Sequence, residues 1–218
     1  MTALPAQHAA ARSEPFAFQC AACSRCCHHK VIQTNPFEIA RLAAFTGVSA
    51  AEFRERWTEA GAGTALARTE ADVCVFLGDQ GCTVHPARPL VCRLYPLGRR
   101  RAGDGTEHWL RLDPHPLSAG TFGTDGTIAD YVEAQGAQPF IAAADAYAEW
   151  VNVARDAMAP LHGGTAGGAA VFDLLDLDAA VAAHCAATGM PEPTDPAKRL
   201  DIHLALLYAQ LDKLSSQA

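Results

Sequence analysis

The sequence predicts an α+β fold, with an irregular cysteine-rich, metal-binding lobe and a small β-hairpin, packed on a mostly helical C-terminal half. Three observations predict it. Seven of the eight cysteines lie between Cys20 and Cys92, in two groups. The second group is threaded through a segment of short β-type runs and turn residues. From Thr127 onward apolar residues recur at helical spacing. A chain of 218 residues makes one domain, or one domain with a small helical annex, and can bury about 70% of its unfolded surface. The linear organisation reads as a flexible N-terminal tail at 1–17, a cysteine-cluster metal-binding domain at 18–116, and a helical lobe at 117–218 with a Gly-rich linker at 163–168.

Composition narrows the function. Hydrophobic residues make up 50% and charged residues 19%, which excludes wholesale disorder. A net charge of -7 and a pI near 5.7 argue against nucleic acid as a partner. No apolar run reaches the length of a membrane span. The N-terminal stretch lacks a charged segment followed by the apolar run of a secretory signal. A cytoplasmic location is therefore expected, in a reducing compartment where thiols stay free or bind metal. No dinucleotide fingerprint, nucleophile elbow or H-E-x-x-H occurs, and the glycines at 163–168 lack the lysine of a phosphate loop. Whether the protein is an enzyme stays open at this level.

The first cysteine group reads C-x-x-C-x-x-C-C, from Cys20 through Cys23 to Cys26 and Cys27. Thiolates two residues apart converge on one metal because the turn between them folds back. Three in register with a fourth from afar is the logic of ferredoxin-type ligation. Cys26 and Cys27 are adjacent, and neighbouring side chains are expected to diverge. They suit a polynuclear site, a split between two sites, or one ligand beside one free thiol. In the second group, Cys74–Leu77 and Thr83–His85 read as strands around a turn at Gly78–Gly81. Pro86 and Pro89 end the ladder, and a short helical turn carries Cys92. Spacings of eight and ten between Cys74, Cys82 and Cys92 are not those of a two-knuckle zinc ribbon. An iron–sulfur cluster is favoured, with zinc as the alternative. The core quartet expected for a four-iron centre is Cys20, Cys23, Cys26 and Cys92. Arg88 and Arg93 sit inside the cysteine pattern, where positive charge offsets thiolates. Arg99–Arg101 read as a solvated loop run. His28 and His85 are candidates for an extra ligand or an outer hydrogen-bond donor.

The pairing of C-x-x-C-x-x-C-C with C-x-F-L and C-x-V-H-x-x-R-P-x-x-C-R-x-Y-P resembles the YkgJ-type cysteine-cluster proteins, a family described as zinc- or iron-chelating. The match runs from about Phe18 to Pro96. The resemblance implies metal ligation by Cys20, Cys23, Cys26, Cys27, Cys74, Cys82 and Cys92. It also implies that Arg88, Pro89, Arg93, Tyr95 and Pro96 belong to the motif frame. Flagellin lysine methylases look like distant relatives, and in them the pattern is associated with an iron–sulfur cluster. Where many relatives carry one more cysteine, this chain has His115, so either His115 substitutes as a nitrogen ligand or that ligand is missing. Three functions follow as expectations: an iron–sulfur protein in redox, metal handling or an active centre; a structural or storage zinc protein; and a methylase-like enzyme acting on a protein or peptide partner.

Helix signals are clearest around the cluster and at the end of the chain. Asn35-Pro36-Phe37-Glu38 is a capped helix start, with Gly47 closing the helix after Thr46. Ser49 and Glu52 repeat the signal for a helix to about Ala60. These two helices are expected to shelter the cysteine loop through Phe37, Ile39, Leu42, Phe45, Phe53 and Trp57. Glu107–Leu112 reads as an edge strand, and Asp125-Gly126 as a turn. Phe140, Ala144, Tyr147, Trp150, Val151, Ala154 and Met158 form one helical stripe. Asp173, Asp176 and Asp178 look like cap and solvent-face residues. Cys185 reads as a buried structural thiol and His203 as non-functional. Asp195-Pro196 starts the last helix, whose leucines at 200, 204, 207, 211 and 214 suit core packing or a homodimer seam.

Overall fold

A computed structural model describes residues 10–59, 64–158 and 175–216. The Gly-rich segment at 163–168 and Asp173 lie outside them. The fold is α+β, with a mostly helical C-terminal half. Contacts gather the chain into two compact units, each drawn from two stretches. One takes the residues up to 32 together with 68–138, the other 33–67 together with 139 onward. All seven clustered cysteines fall in the first unit. Residues 33–67, which the linear reading places inside the cysteine domain, group with the second.

The first unit carries three two-stranded antiparallel ladders. Strand β1 (Pro15–Gln19) pairs with β6 (Thr121–Thr127), with Phe18 opposite Phe122 and a bulge between Pro15 and Ala17. Residues 15–17, read from sequence as tail, are thus in a strand. Alternating aromatics explain it: Phe16 is buried, edge-on to Tyr131 at 5.0 Å and Phe122 at 6.2 Å, and aromatic residues favour a pleated, half-buried surface. Asp125-Gly126, expected as a turn, lies within β6, where Gly126 takes φ +106°.

Strands β2 (Leu77–Gly78) and β3 (Gly81–Cys82) form the expected hairpin, shorter than the sequence suggests. Gly81, which closes the turn through Asp79 and Gln80, takes φ +101°, a conformation open to glycine. A 3-10 turn at His85–Ala87 leads into helix α1 of this unit (Leu90–Leu94), which carries Cys92. Strands β4 (Leu97–Arg101) and β5 (Glu107–Arg111) pair with Arg99 opposite Trp109. Arg99–Arg101 are therefore strand and not loop. Arg99 Nε donates to Glu107 Oε1 at 2.5 Å, Arg12 Nε to Glu107 Oε2 at 2.5 Å, and Trp109 Nε1 to Glu107 Oε2 at 2.9 Å. Helix α2 (Ile128–Ala134) opens on a capping box of Thr127 and Asp130.

The second unit is helical. Helix α3 (Pro36–Thr46) has the expected capping box, with Asn35 accepting from the Glu38 amide and Gly47 closing it at φ +76°. Helix α4 (Ala50–Trp57) starts at Ser49, but ends at Trp57 and not near Ala60. Helices α5 (Gln138–Met158), α6 (Leu177–Thr188) and α7 (Pro196–Ser216) complete it. Phe37 packs edge-on to Phe140 at 5.6 Å, and Ile39, Leu42 and Phe53 are fully buried. The residues expected to shelter the cysteines are thus part of the second unit, and Phe45 is largely exposed. On α5 the buried stripe is Phe140, Ile141, Ala143, Tyr147 and Ala154, with Val151 exposed. On α7, Leu200, Leu207 and Leu211 are buried, while His203 takes the remaining core position and bonds the Tyr147 hydroxyl at 2.7 Å. Cys185 is buried as expected.

Glu107 is the electrostatic knot of the β4–β5 ladder. Burial raises its carboxyl, but the bonds from Arg12, Arg99 and Trp109 outweigh that and hold it at about 2. A depressed carboxylate contributes stability above its ordinary 4.5 and loses it as pH falls toward 2. Glu107→Gln is expected to lower stability by about 1–2 kcal/mol at neutral pH. The gap in thermal midpoint between the two proteins should shrink on titration from pH 5 to about pH 2.

Candidate metal centre

The first cysteine run bends because its backbone enters the left-handed region twice. Ala22 takes φ +50° and Ser24 φ +59°, followed by a 3-10 turn at Arg25–Cys27. Such conformations are uncommon away from glycine and concentrate at functional loops. The run is tied to the second group by backbone pairing. His28 bridges Val73, and the Cys74 amide donates to the Cys27 carbonyl at 2.9 Å.

Cys20 Sγ accepts from the Ala22 amide at 3.4 Å. The amides of Arg25, Phe76 and Val84 act in the same sense on Cys23, Cys74 and Cys82, each two residues further on. An amide aimed at sulfur favours thiolate over thiol and fixes where its lone pairs point. At Cys23 the largest lowering comes from the Ala119 amide, with Arg25 and the Ser118 hydroxyl adding to it. Burial pushes Cys74 and Cys82 up, as do the neighbouring thiolates, while their amide partners pull them down.

Cys26 and Cys27 both lie in the 3-10 turn, and each acts on the proton of the other. The neighbouring Cys27 thiol, with Lys30 and Arg88 helping against burial, lowers Cys26 to about 6. The shared proton, burial, and the charges of Cys26, Cys82 and Cys74 push Cys27 up. Lys30 is the cation of the site. Burial lowers its ammonium, and Cys26, Cys92 and Cys27 oppose that. Its Nζ stands 3.6 Å over the Tyr95 ring. Cys26 lies within electrostatic reach of Cys27, Cys74 and Cys82, and with Cys23 and Cys20 it acts on the Tyr95 hydroxyl. An open cleft of about 460 Å³ runs between the Ala22–Arg25 turn and the β2–β3 hairpin. Among the described residues, no three histidine, cysteine or acidic side chains already stand as a closed ligand set. The donors fit thiolate ligation by their chemistry: all seven are free thiols, backed by amides and cations.

The other sequence candidates divide between framework and rim. Arg93 is buried, and its guanidinium donates to the Gln135 carbonyl at 3.0 Å and the Pro86 carbonyl at 2.8 Å. Arg88 donates to the His85 carbonyl and to Gln135 Oε1, both at 2.8 Å, and reaches Cys26 and Cys82 electrostatically. His85 Nδ1 faces Arg88 Nη1 at 3.3 Å. The His115 amide donates to the Tyr95 hydroxyl at 3.1 Å, and its ring stands 6.2 Å from that of His28. Sequence reasoning missed Lys30, although it follows C-C-H-H directly. It also missed Ser118–Ala119, which have no local signal, and Gly120. A Cβ on Gly120 would stand 2.3 Å from Phe18 Cζ, so only glycine lets this loop approach the cysteine strand.

Free thiols backed by amides and offset by cations have the donor chemistry of thiolate metal ligation. Residues 19–110 match the family model CxxCxxCC, described as "Putative zinc- or iron-chelating domain". The YkgJ-type resemblance fits it, and the match extends past Pro96 through most of β5. No curated protein and no solved structure matches the chain.

Arg93→Met removes two bonds and leaves two carbonyls unpaired. It is expected to cost about 2–4 kcal/mol, read as a fall in the urea midpoint at unchanged slope.

Proposed function

We propose that the seven-thiol set holds an iron–sulfur centre with a redox role, with Cys26 at the middle of the set. The supporting observation is the gathering of seven free thiols in one unit, with the Ala22 amide donating to Cys20 Sγ at 3.4 Å and the Cys74 amide joining the two cysteine groups through the Cys27 carbonyl at 2.9 Å. Hydrogen bonds to sulfur and local net charge are the protein's means of setting the potential of such a centre. When bound, the centre supplies one-electron transfer. The C-x-x-C-x-x-C run offers Cys20, Cys23 and Cys26, and Cys92 on α1 is the expected fourth ligand. Cys27, Cys74 and Cys82 remain as further thiols on the same centre or on a second ion. Lys30 and Arg88 offset the negative charge of these sulfurs, and Lys30 is held in place over Tyr95.

The test is metal and sulfide analysis with an absorption spectrum on protein purified without oxygen. The expected sample is brown, contains iron and acid-labile sulfide, and has a broad band near ~400 nm. Cys26→Ser is expected to lose most of the iron, and Cys185→Ser to retain it. A colourless protein with stoichiometric zinc would overturn the proposal and leave a structural or storage zinc site.

A further inference from the structure

Three imidazoles meet at the edge of the thiol group. The ring centroids of His28 and His29 are 6.1 Å apart, those of His28 and His115 6.2 Å, and those of His29 and His115 6.4 Å. They come from two distant stretches of sequence, so local spacing does not explain the meeting. Core packing does not explain it either, since the His29 side chain is 65% exposed.

His29 is held with unusual completeness for an exposed ring. Its backbone takes φ +55°, and its amide donates to the Asp72 carbonyl at 2.9 Å. Asp72, itself at φ +57°, presents Oδ2 to His29 Nδ1 at 3.1 Å, while its other oxygen accepts from Arg68. An imidazole whose Nδ1–H donates to a carboxylate keeps the Nε2 lone pair free. That carboxylate–histidine pairing orients metal-bound imidazoles. His115 Nδ1 accepts from the exposed Leu117 amide at 3.1 Å, and an ion taking that lone pair leaves the amide to solvent.

We infer that His28, His29 and His115 form a second metal subsite, distinct from the thiols, for a divalent ion of the zinc, cobalt or nickel class. Imidazole suits such borderline ions, whereas thiolates select softer centres. The rings stand open: a tetrahedral imidazole set has centroids roughly 5 Å apart, and no closed set exists among the described residues. His29 is exposed and His28 and His115 are half-buried, and rotation within their broad χ2 wells closes a gap of about 1 Å. The inference rests on the ring cluster and not on the iron–sulfur reading.

The experiment is a cobalt(II) titration of the protein as purified, with its resident metal, by equilibrium dialysis and absorption spectroscopy. Wild type is expected to bind one further cobalt per chain, with no new thiolate-to-cobalt charge-transfer band. His29→Ala, His115→Ala and Asp72→Asn should bind it at least tenfold more weakly at unchanged resident metal content. Circular dichroism identifies which variants fold. The inference is overturned if wild type takes up no further cobalt, if a thiolate-to-cobalt band accompanies the uptake, or if folded variants bind equally well. The iron–sulfur reading is checked separately by resident iron and sulfide, so the two fail independently.

Discussion

Gathering seven sulfurs in one compact unit sets a like-charge problem, and much of the surrounding structure offsets it. Cys27 is pushed up by Cys26, Cys82 and Cys74, and Cys74 by Cys82 and Cys26. Against this stand amide donors at four cysteines, the proton shared between Cys26 and Cys27, and the cations Lys30 and Arg88. A partly buried lysine is itself unfavourable, and the thiolates around it oppose that penalty. Removing either side leaves the other without its compensation, so the cations and the sulfurs form one interdependent group.

The rest of the first unit holds that group in place. Phe18 brings β1 against Tyr95, edge-on at 6.2 Å, and the chain enters Cys20 directly from this strand. The Tyr131 hydroxyl donates to the Tyr95 carbonyl at 2.7 Å, so helix α2 secures the ring on which Lys30 rests. Arg93 links α1 to the end of α2 through the Gln135 carbonyl. Glu107 joins the N-terminal stretch to β4 and β5 through Arg12 and Arg99. Arg93 and Glu107 thus supply framework interactions through charged groups, in a small, loop-rich unit with limited apolar surface to bury. Its apolar centre is modest, with Trp109, Phe76, Leu94 and Val132 among its buried members.

The second unit stands on different physics. It is a helical assembly closed by aliphatic and aromatic burial, with Tyr147 and His203 satisfying one another inside it. Burial raises the Tyr147 hydroxyl far above its ordinary value, with Asp178 adding to it, so Tyr147 keeps its proton in the bond to His203. Arg199 fastens α7 to α6 through Asp178 at 2.7 Å. No helix among the described residues is long and apolar enough to cross a membrane.

What the sequence by itself determined is what local chemistry determines. Asn35, Pro36, Glu38 and Gly47 set both ends of α3, because capping is decided within one turn. Asp195-Pro196 marks the start of α7 for the same reason. The cysteine spacing announced a metal-chelating segment, since ligand type and order are legible without coordinates. Tertiary structure alone decided the remainder. The β1–β6 ladder joins short segments more than a hundred residues apart, one rich in glycine, and neither carries enough periodicity to be recognised. Cys26 and Cys27 act on one another's proton because a 3-10 turn holds both in one bend. His29 meets His115 only because Asp72 and the Tyr95 hydroxyl hold two separate loops at one edge. Long-range pairing depends on which surfaces become adjacent after folding, and no window of sequence contains that information.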